Sequence, residues 1–169
     1  MHEVVTATSA EARRAVACAW LTSRAPAEEV VVLGATSDAA GEVIRAVIDP
    51  RTGAGFGWHR TSLGRLAAEY AQPLLVARGL APVGALPITA LCARVLRRLP
   101  RDGRLAAVAE QPGVPRALAR TLTELRQARV TAVEGDAELT AALALLDEEL
   151  ARARLADRAL VFALAPEAA

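Results

Sequence analysis

Val30-Val31-Val32-Leu33 is an unbroken apolar run, closed by the turn Gly34-Ala35-Thr36-Ser37 and followed by Ala40, Val43, Ile44 and Val47 at helical spacing. A continuous β-branched run of this length belongs to a strand covered on both faces, the usual state of strands in a parallel sheet. Its surroundings extend the pattern. Glu3 to Thr6 reads as a short strand. A helix follows from about Ser9 to Ser23, with Ser9 as N-cap, Ala15, Cys18, Ala19 and Leu21 facing inward, and Pro26 as its stop. After the second helix (about Asp38 to Ile48), residues 49–55 form a loop, and Phe56 to Arg60 is an extended piece running into a helix that begins near Ser62. The order β-α-β-α-β with short connections predicts a small parallel sheet with right-handed crossovers.

Beyond this point the spacing is helical throughout. Leu63, Leu66, Ala67, Tyr70 and Leu74 mark a helix to Ala77, kinked at Pro73. Pro87 stands at the first position of a second helix, whose stripe is Ile88, Leu91, Cys92, Val95 and Leu99; Arg94, Arg97, Arg98 and Arg101 lie on another side. Pro115 opens a third, with Leu118, Leu122 and Leu125 inward and Arg116, Arg120 and Glu124 at i, i+4 spacing. A long helix from Asp136 to Arg154 carries Leu139, Leu143, Leu146 and Leu150, with Glu148–Arg152 as a surface pair. From Ala156 another apolar helix runs to the end without a stop signal, as expected of a piece of a longer protein. The fold expected is α/β and helix-dominated: an α/β core portion over residues 1–80 and a helical subdomain over 81–169.

Composition removes several functions. With 53% apolar residues among 169, the chain buries a core, yet no run approaches the roughly 18 apolar residues of a membrane span. The N-terminus has no basic region followed by an apolar stretch, so a cytoplasmic location is expected. All 20 basic residues are Arg, which excludes a Schiff-base lysine, a phosphate-cradling P-loop lysine and a Tyr–Lys dehydrogenase pair. Cys18 and Cys92 have no Cys or His at metal-ligand spacing and read as buried, inert thiols. His59, beside Trp58, reads as a packed loop residue, and Asp147-Glu148-Glu149 as a solvated helix face. No catalytic residue, metal or cofactor is expected.

Net charge is +1, but its distribution is uneven. Residues 1–50 hold 4 Arg against 7 acids, 51–130 hold 13 against 4, and 131–169 hold 3 against 8. A basic middle suits a polyanion; the same Arg could equally fill exposed helix positions or meet the acidic C-terminal third.

A strand, a Gly turn and a helix N-terminus form an anion-binding arrangement, and three known patterns compete for residues 30–43. A P-loop needs Gly, Lys and Ser/Thr where Ala39, Ala40 and Gly41 stand. A short-chain dehydrogenase turn is similar to Gly34-Ala35-Thr36-Ser37 but wants glycines at Asp38 and Ala40. The third pattern reaches further. Thr36-Ser37-Asp38-Ala39-Ala40-Gly41-Glu42-Val43 resembles the T-x-x-A-A-x-E-φ segment of UvrD-like superfamily 1 helicases, and Ser62-Leu63-Gly64-Arg65-Leu66-Ala67 resembles their T-F-x-x-[FL]-A helix start. Leu80 to Leu99 is similar to the helix that opens their helical subdomain. Residues 112–126, from Pro112 to Arg126, resemble more closely the N-terminal region of AddB-type helicase–nuclease subunits and related PD-(D/E)XK nuclease proteins.

The resemblance covers roughly residues 3–130 and implies a degenerate P-loop (RecA-like) core in a DNA-repair relative of ATP-dependent helicase/deoxyribonucleases. Its ATP loop would fall on Thr6 to Arg13, which hold neither the glycines nor the lysine, and the family's nuclease motif lies downstream of the matched region. What it implies here is a catalytically silent region that holds single-stranded DNA or docks a partner subunit or nuclease domain. Thr36, Ser37, Ser62 and Arg65 would face the nucleic-acid backbone, with Arg94, Arg97 and Arg98 as further candidate contacts. The alternative is a protein–protein scaffold without nucleic acid.

Overall fold

The structure is a computed structural model that describes residues 4–25, 27–48 and 56–168. It divides into two compact units, Met1–Leu66 and Ala67–Ala169. No helix among the described residues is long and apolar enough to cross a membrane.

The first unit contains α1 (Ala10–Thr22), β1 (Val30–Gly34), α2 (Ser37–Val47) and β2 (Trp58–Ser62), and α3 (Leu63–Ala77) starts at its end. Ser9 caps α1 by accepting the Ala12 N–H at 3.1 Å, as its position predicts. β1 and β2 pair in parallel, Val30 with Trp58 through Gly34 with Ser62. Two differences from the sequence reading concern this sheet. Val4 to Thr6, the described part of the expected first strand, is irregular, with Val4 87% exposed. Two consecutive valines without a neighbouring strand to take their backbone groups do not make one. The apolar run of β1 is also covered on one face only. Val30 and Val32 pack with Leu21, Ile44 and Trp58, whereas Val31 and Leu33 are about half exposed. The expected stop at Pro26 and the loop over residues 49–55 lie outside the described residues.

In the second unit, α3 runs through Pro73 and ends where Gly79 turns left-handed (φ +62°), with Leu80 N–H returning to the Leu75 carbonyl at 2.9 Å. Two short parallel strands, β3 (Ala81–Pro82) and β4 (Leu155–Ala156), join distant parts of the chain. Between them lie α4 (Ala85–Arg98), α5 (Arg104–Val108), α6 (Val114–Gln127) and α7 (Ala137–Ala153); α8 (Arg158–Leu164) follows β4.

The main core is the α4 stripe Ile88, Leu91, Cys92, Val95 and Leu99, packed with Leu118 and Leu122 of α6 and Leu143, Leu146 and Leu150 of α7. These are the positions helical spacing selects. Leu125 and Leu139, at the edges of their stripes, are only partly buried. Pro87 is the third residue of α4 rather than the first. The misplacement costs nothing, because the first four N–H groups of a helix have no acceptor within it. The last helix is shorter than its apolar composition implies: it ends at Leu164 in a 3₁₀ turn containing Pro166. Burial pushes the Cys92 thiol up to about 12, so this is an inert core residue.

Leu146 is fully buried, so Leu146→Ala lowers unfolding free energy by about 2–5 kcal/mol. Leu86→Ala, at an 81% exposed position, changes it by about 0.5 kcal/mol or less. Urea titration followed by circular dichroism reads both. Asp136 caps α7, accepting the Leu139 N–H at 3.0 Å, and also pairs with Arg104. The Leu139 amide first, and then Arg104, hold its carboxyl below the ordinary value of 3.8. A carboxyl depressed on folding contributes stability that is present above its unfolded-state pKa and is lost as pH falls through the folded value. Asp136→Asn accordingly removes part of the acid-induced loss of stability between about pH 4 and lower pH, measured as melting temperature against pH.

Candidate nucleic-acid interface

The parallel pairing sets the geometry of the first site. Gly34 and Ser62 are Cα partners at the carboxyl ends of β1 and β2, so the chain leaves both strands side by side, about 4.8 Å apart. Each strand then starts a helix. At the first exit the chain folds back tightly: a Cβ on Gly34 would stand 2.6 Å from the Thr36 carbonyl oxygen and 2.7 Å from the Ala40 nitrogen. That position demands glycine, and the space above it is filled by the chain's own backbone rather than left open for a dinucleotide.

Thr36 is the N-cap of α2, its Oγ1 accepting the Ala39 N–H at 3.1 Å, and Ser37 is the first helical residue. At the second exit, Ser62 Oγ accepts the Arg65 N–H at 3.4 Å at the start of α3. The structure thus brings Thr36, Ser37, Ser62 and Arg65 to one edge of the strand pair, with two helix N-termini directed there. Thr36 and Arg65 are exposed, and Ser37 and Ser62 half-buried. A hydroxyl whose oxygen accepts a capping bond still has its own hydrogen to donate. Arg65 already has a polar partner, and Asp38 adds a negative charge to the first turn of α2.

The α4 arginines belong to the second unit and are differently employed. Arg98 Nη1 donates to Glu149 Oε1 at 2.8 Å and its Nη2 to Glu148 Oε2 at 2.6 Å. Arg94 Nη2 stands 2.8 Å from Glu149 Oε2 as a charge contact, and Arg152 Nη1 donates to Glu149 Oε1 at 2.7 Å. Arg94 and Arg98 are therefore committed to holding α4 against α7. Arg97 is exposed and makes no ion pair among the described residues.

Two expectations about α7 change as a result. Glu149 is not on a solvated face but 1% exposed, while Asp147 and Glu148 are exposed. Arg152 pairs with Glu149 at i, i+3 rather than with Glu148, because Glu148 turns toward Arg98. A second ionic tie escaped the sequence reading. Arg126 of α6 binds Asp147 and the 2% exposed Asp157, to which its Nε donates at 2.7 Å; Asp157 in turn caps α8 through the Leu160 N–H at 3.0 Å.

His59 lies within β2, opposite Val31, and is exposed rather than packed in a loop. No group of His, Cys, Asp and Glu among the described residues is arranged to hold a metal ion. The stretch from Thr6 to Arg13 leads into α1 and forms its first turn, with Arg13 Nη1 donating to the Ala7 carbonyl at 2.7 Å. No family model, curated protein or solved structure matches this chain.

Glu149 is the one buried charge of the cluster, and its three arginine partners all reach solvent. Glu149→Ala removes the carboxylate that ties α4 to α7 and leaves a small cavity, while Arg94 and Arg152 reach solvent and Arg98 keeps Glu148, so it destabilises the chain by about 1–3 kcal/mol. Glu148→Ala, at an exposed pair, costs at most about 1 kcal/mol. Thermal and urea unfolding of the two variants checks the contrast.

Proposed function

We propose that this chain is a catalytically silent, helicase-like α/β region that grips single-stranded nucleic acid by its phosphate backbone, in a DNA-repair relative of helicase–nucleases. The observation that supports it is the β1–β2 register, which gathers Thr36, Ser37, Ser62 and Arg65 at the carboxyl edge of a parallel strand pair. Ligands of open α/β sheets bind outside the carboxyl ends of the strands. Hydroxyls, N-terminal helix amides and Arg are groups that hold phosphates without reading sequence. The resemblance of residues 36–43 and 62–67 to helicase motifs falls on the same edge. With no P-loop lysine in the chain, the role is to hold rather than to move the strand.

The scaffold reading draws on a separate observation. Arg94 and Arg98 are neutralised by Glu148 and Glu149, so much of the basic stripe of α4 serves internal packing. In this reading the chain is a protein–protein scaffold that binds no nucleic acid.

Fluorescence anisotropy with a labelled oligo-dT tests the proposal. Binding weakens steeply with salt. Thr36→Asp combined with Ser62→Asp keeps both caps but opposes phosphate, weakening binding by about tenfold or more. Asp38→Asn removes a repelling charge and tightens it. An absence of binding at low salt, or identical affinities for wild type and the double variant, would overturn the nucleic-acid role.

A further inference from the structure

Gly41, buried in the middle of α2, marks a second feature of the first unit. A Cβ there would meet Arg60 Nη1 at 2.7 Å, Arg60 Cδ at 3.2 Å and Arg45 Nη1 at 3.3 Å. Arg60 comes from β2, on the strand face shared with Trp58 and Ser62; Arg45 comes from one turn further along α2. Two guanidinium groups thus converge over one glycine. Both are exposed, and neither makes an ion pair or hydrogen bond among the described residues.

Elsewhere, Arg24, Arg78, Arg94, Arg98, Arg104, Arg120, Arg126 and Arg152 each meet a carboxylate. The carboxyl end of α2 accounts for a cation at Arg45. It does not account for a second, from another element, drawn to the same point against like-charge repulsion.

We propose that Arg45 and Arg60 form a clamp for a phosphate group over Gly41. A charge-assisted N–H···O bond spans about 2.8 Å, so one tetrahedral oxyanion reaches both guanidinium groups from outside the helix. Gly41 makes the clamp possible, since any side chain there displaces Arg60. The phosphate is either free or part of a polynucleotide backbone. Arg60 precedes Ser62 by two residues on the same strand face, about 6.6 Å along the strand, so a backbone held at the carboxyl edge would extend past the clamp. In the backbone case alone the inference rests on the function proposed above.

The test is isothermal titration of the full chain with inorganic phosphate against chloride at matched ionic strength. Phosphate binds the wild type; Arg45→Gln and Arg60→Gln each weaken it about tenfold, Gly41→Leu abolishes it, and Arg116→Gln, at an exposed position of α6, leaves it unchanged. Circular dichroism melts confirm that each variant is folded, and Arg60→Lys, which keeps the charge without the fork, gives an intermediate affinity. No phosphate-specific heat in the wild type, or unchanged affinity in folded Arg60→Gln, would overturn the clamp. A parallel oligo-dT titration separates the sources. If Arg60→Gln weakens both ligands the clamp takes backbone phosphate, and if it weakens inorganic phosphate alone the clamp takes the free ion. A wild type that binds phosphate but no oligonucleotide keeps the clamp and removes the strand-holding role.

Discussion

Glu149 is the interaction on which the second unit depends. A carboxylate taken out of water carries a desolvation penalty of several kcal/mol unless charges and hydrogen bonds replace the solvent. Here Arg94 and Arg98 approach from α4 and Arg152 from its own helix. The apolar stripes of α4 and α7 pack in one core beside it. The single buried charge, with its three partners, ties the turns of α4 that carry Arg94 and Arg98 to the turn of α7 that carries Glu149, beside the leucine core. Arg126 does the same between α6, α7 and the capped start of α8 through Asp147 and Asp157.

In the first unit, Arg45 and Arg60 are used differently. Its strand pair ends in two capped helix N-termini, and the arginines beside α2 converge without a carboxylate between them. The uneven charge along the chain therefore has two meanings. Part of the basic middle is matched by the acidic C-terminal third, and part, including Arg60, Arg97 and Arg116, is exposed without an ion pair among the described residues.

The helical half of the fold was largely legible in the sequence. Buried stripes such as Ile88, Leu91, Cys92, Val95 and Leu99 follow directly from the 3.6-residue period, and Ser9, Thr36 and Asp136 stand where N-caps belong. The strands were less legible. Val31 and Leu33 look like core residues, but whether a strand is covered on one face or two depends on neighbours that local sequence does not encode. Glu149 was misread for a related reason: three acids in a row on a helix spread over its circumference, and only the partner helix decides which is buried. The capping hydroxyls of the candidate site were visible as strand-turn-helix signals at Thr36 and Ser62. Arg60 was not singled out, although the alternation Trp58, Arg60, Ser62 places it on the same face. Its convergence with Arg45 is tertiary and has no local signature.

The central claim is that the carboxyl edge of the β1–β2 pair is the nucleic-acid-facing surface, and that α4 is not. Titrating ¹⁵N-labelled chain with a short oligo-dT and following the amide resonances tests it most directly. The largest shifts are expected at the helix starts, over residues 36–39 and 62–65, with the amides of Arg94 and Arg98 little changed. Shifts centred on α4, or no shifts at low salt, would contradict it.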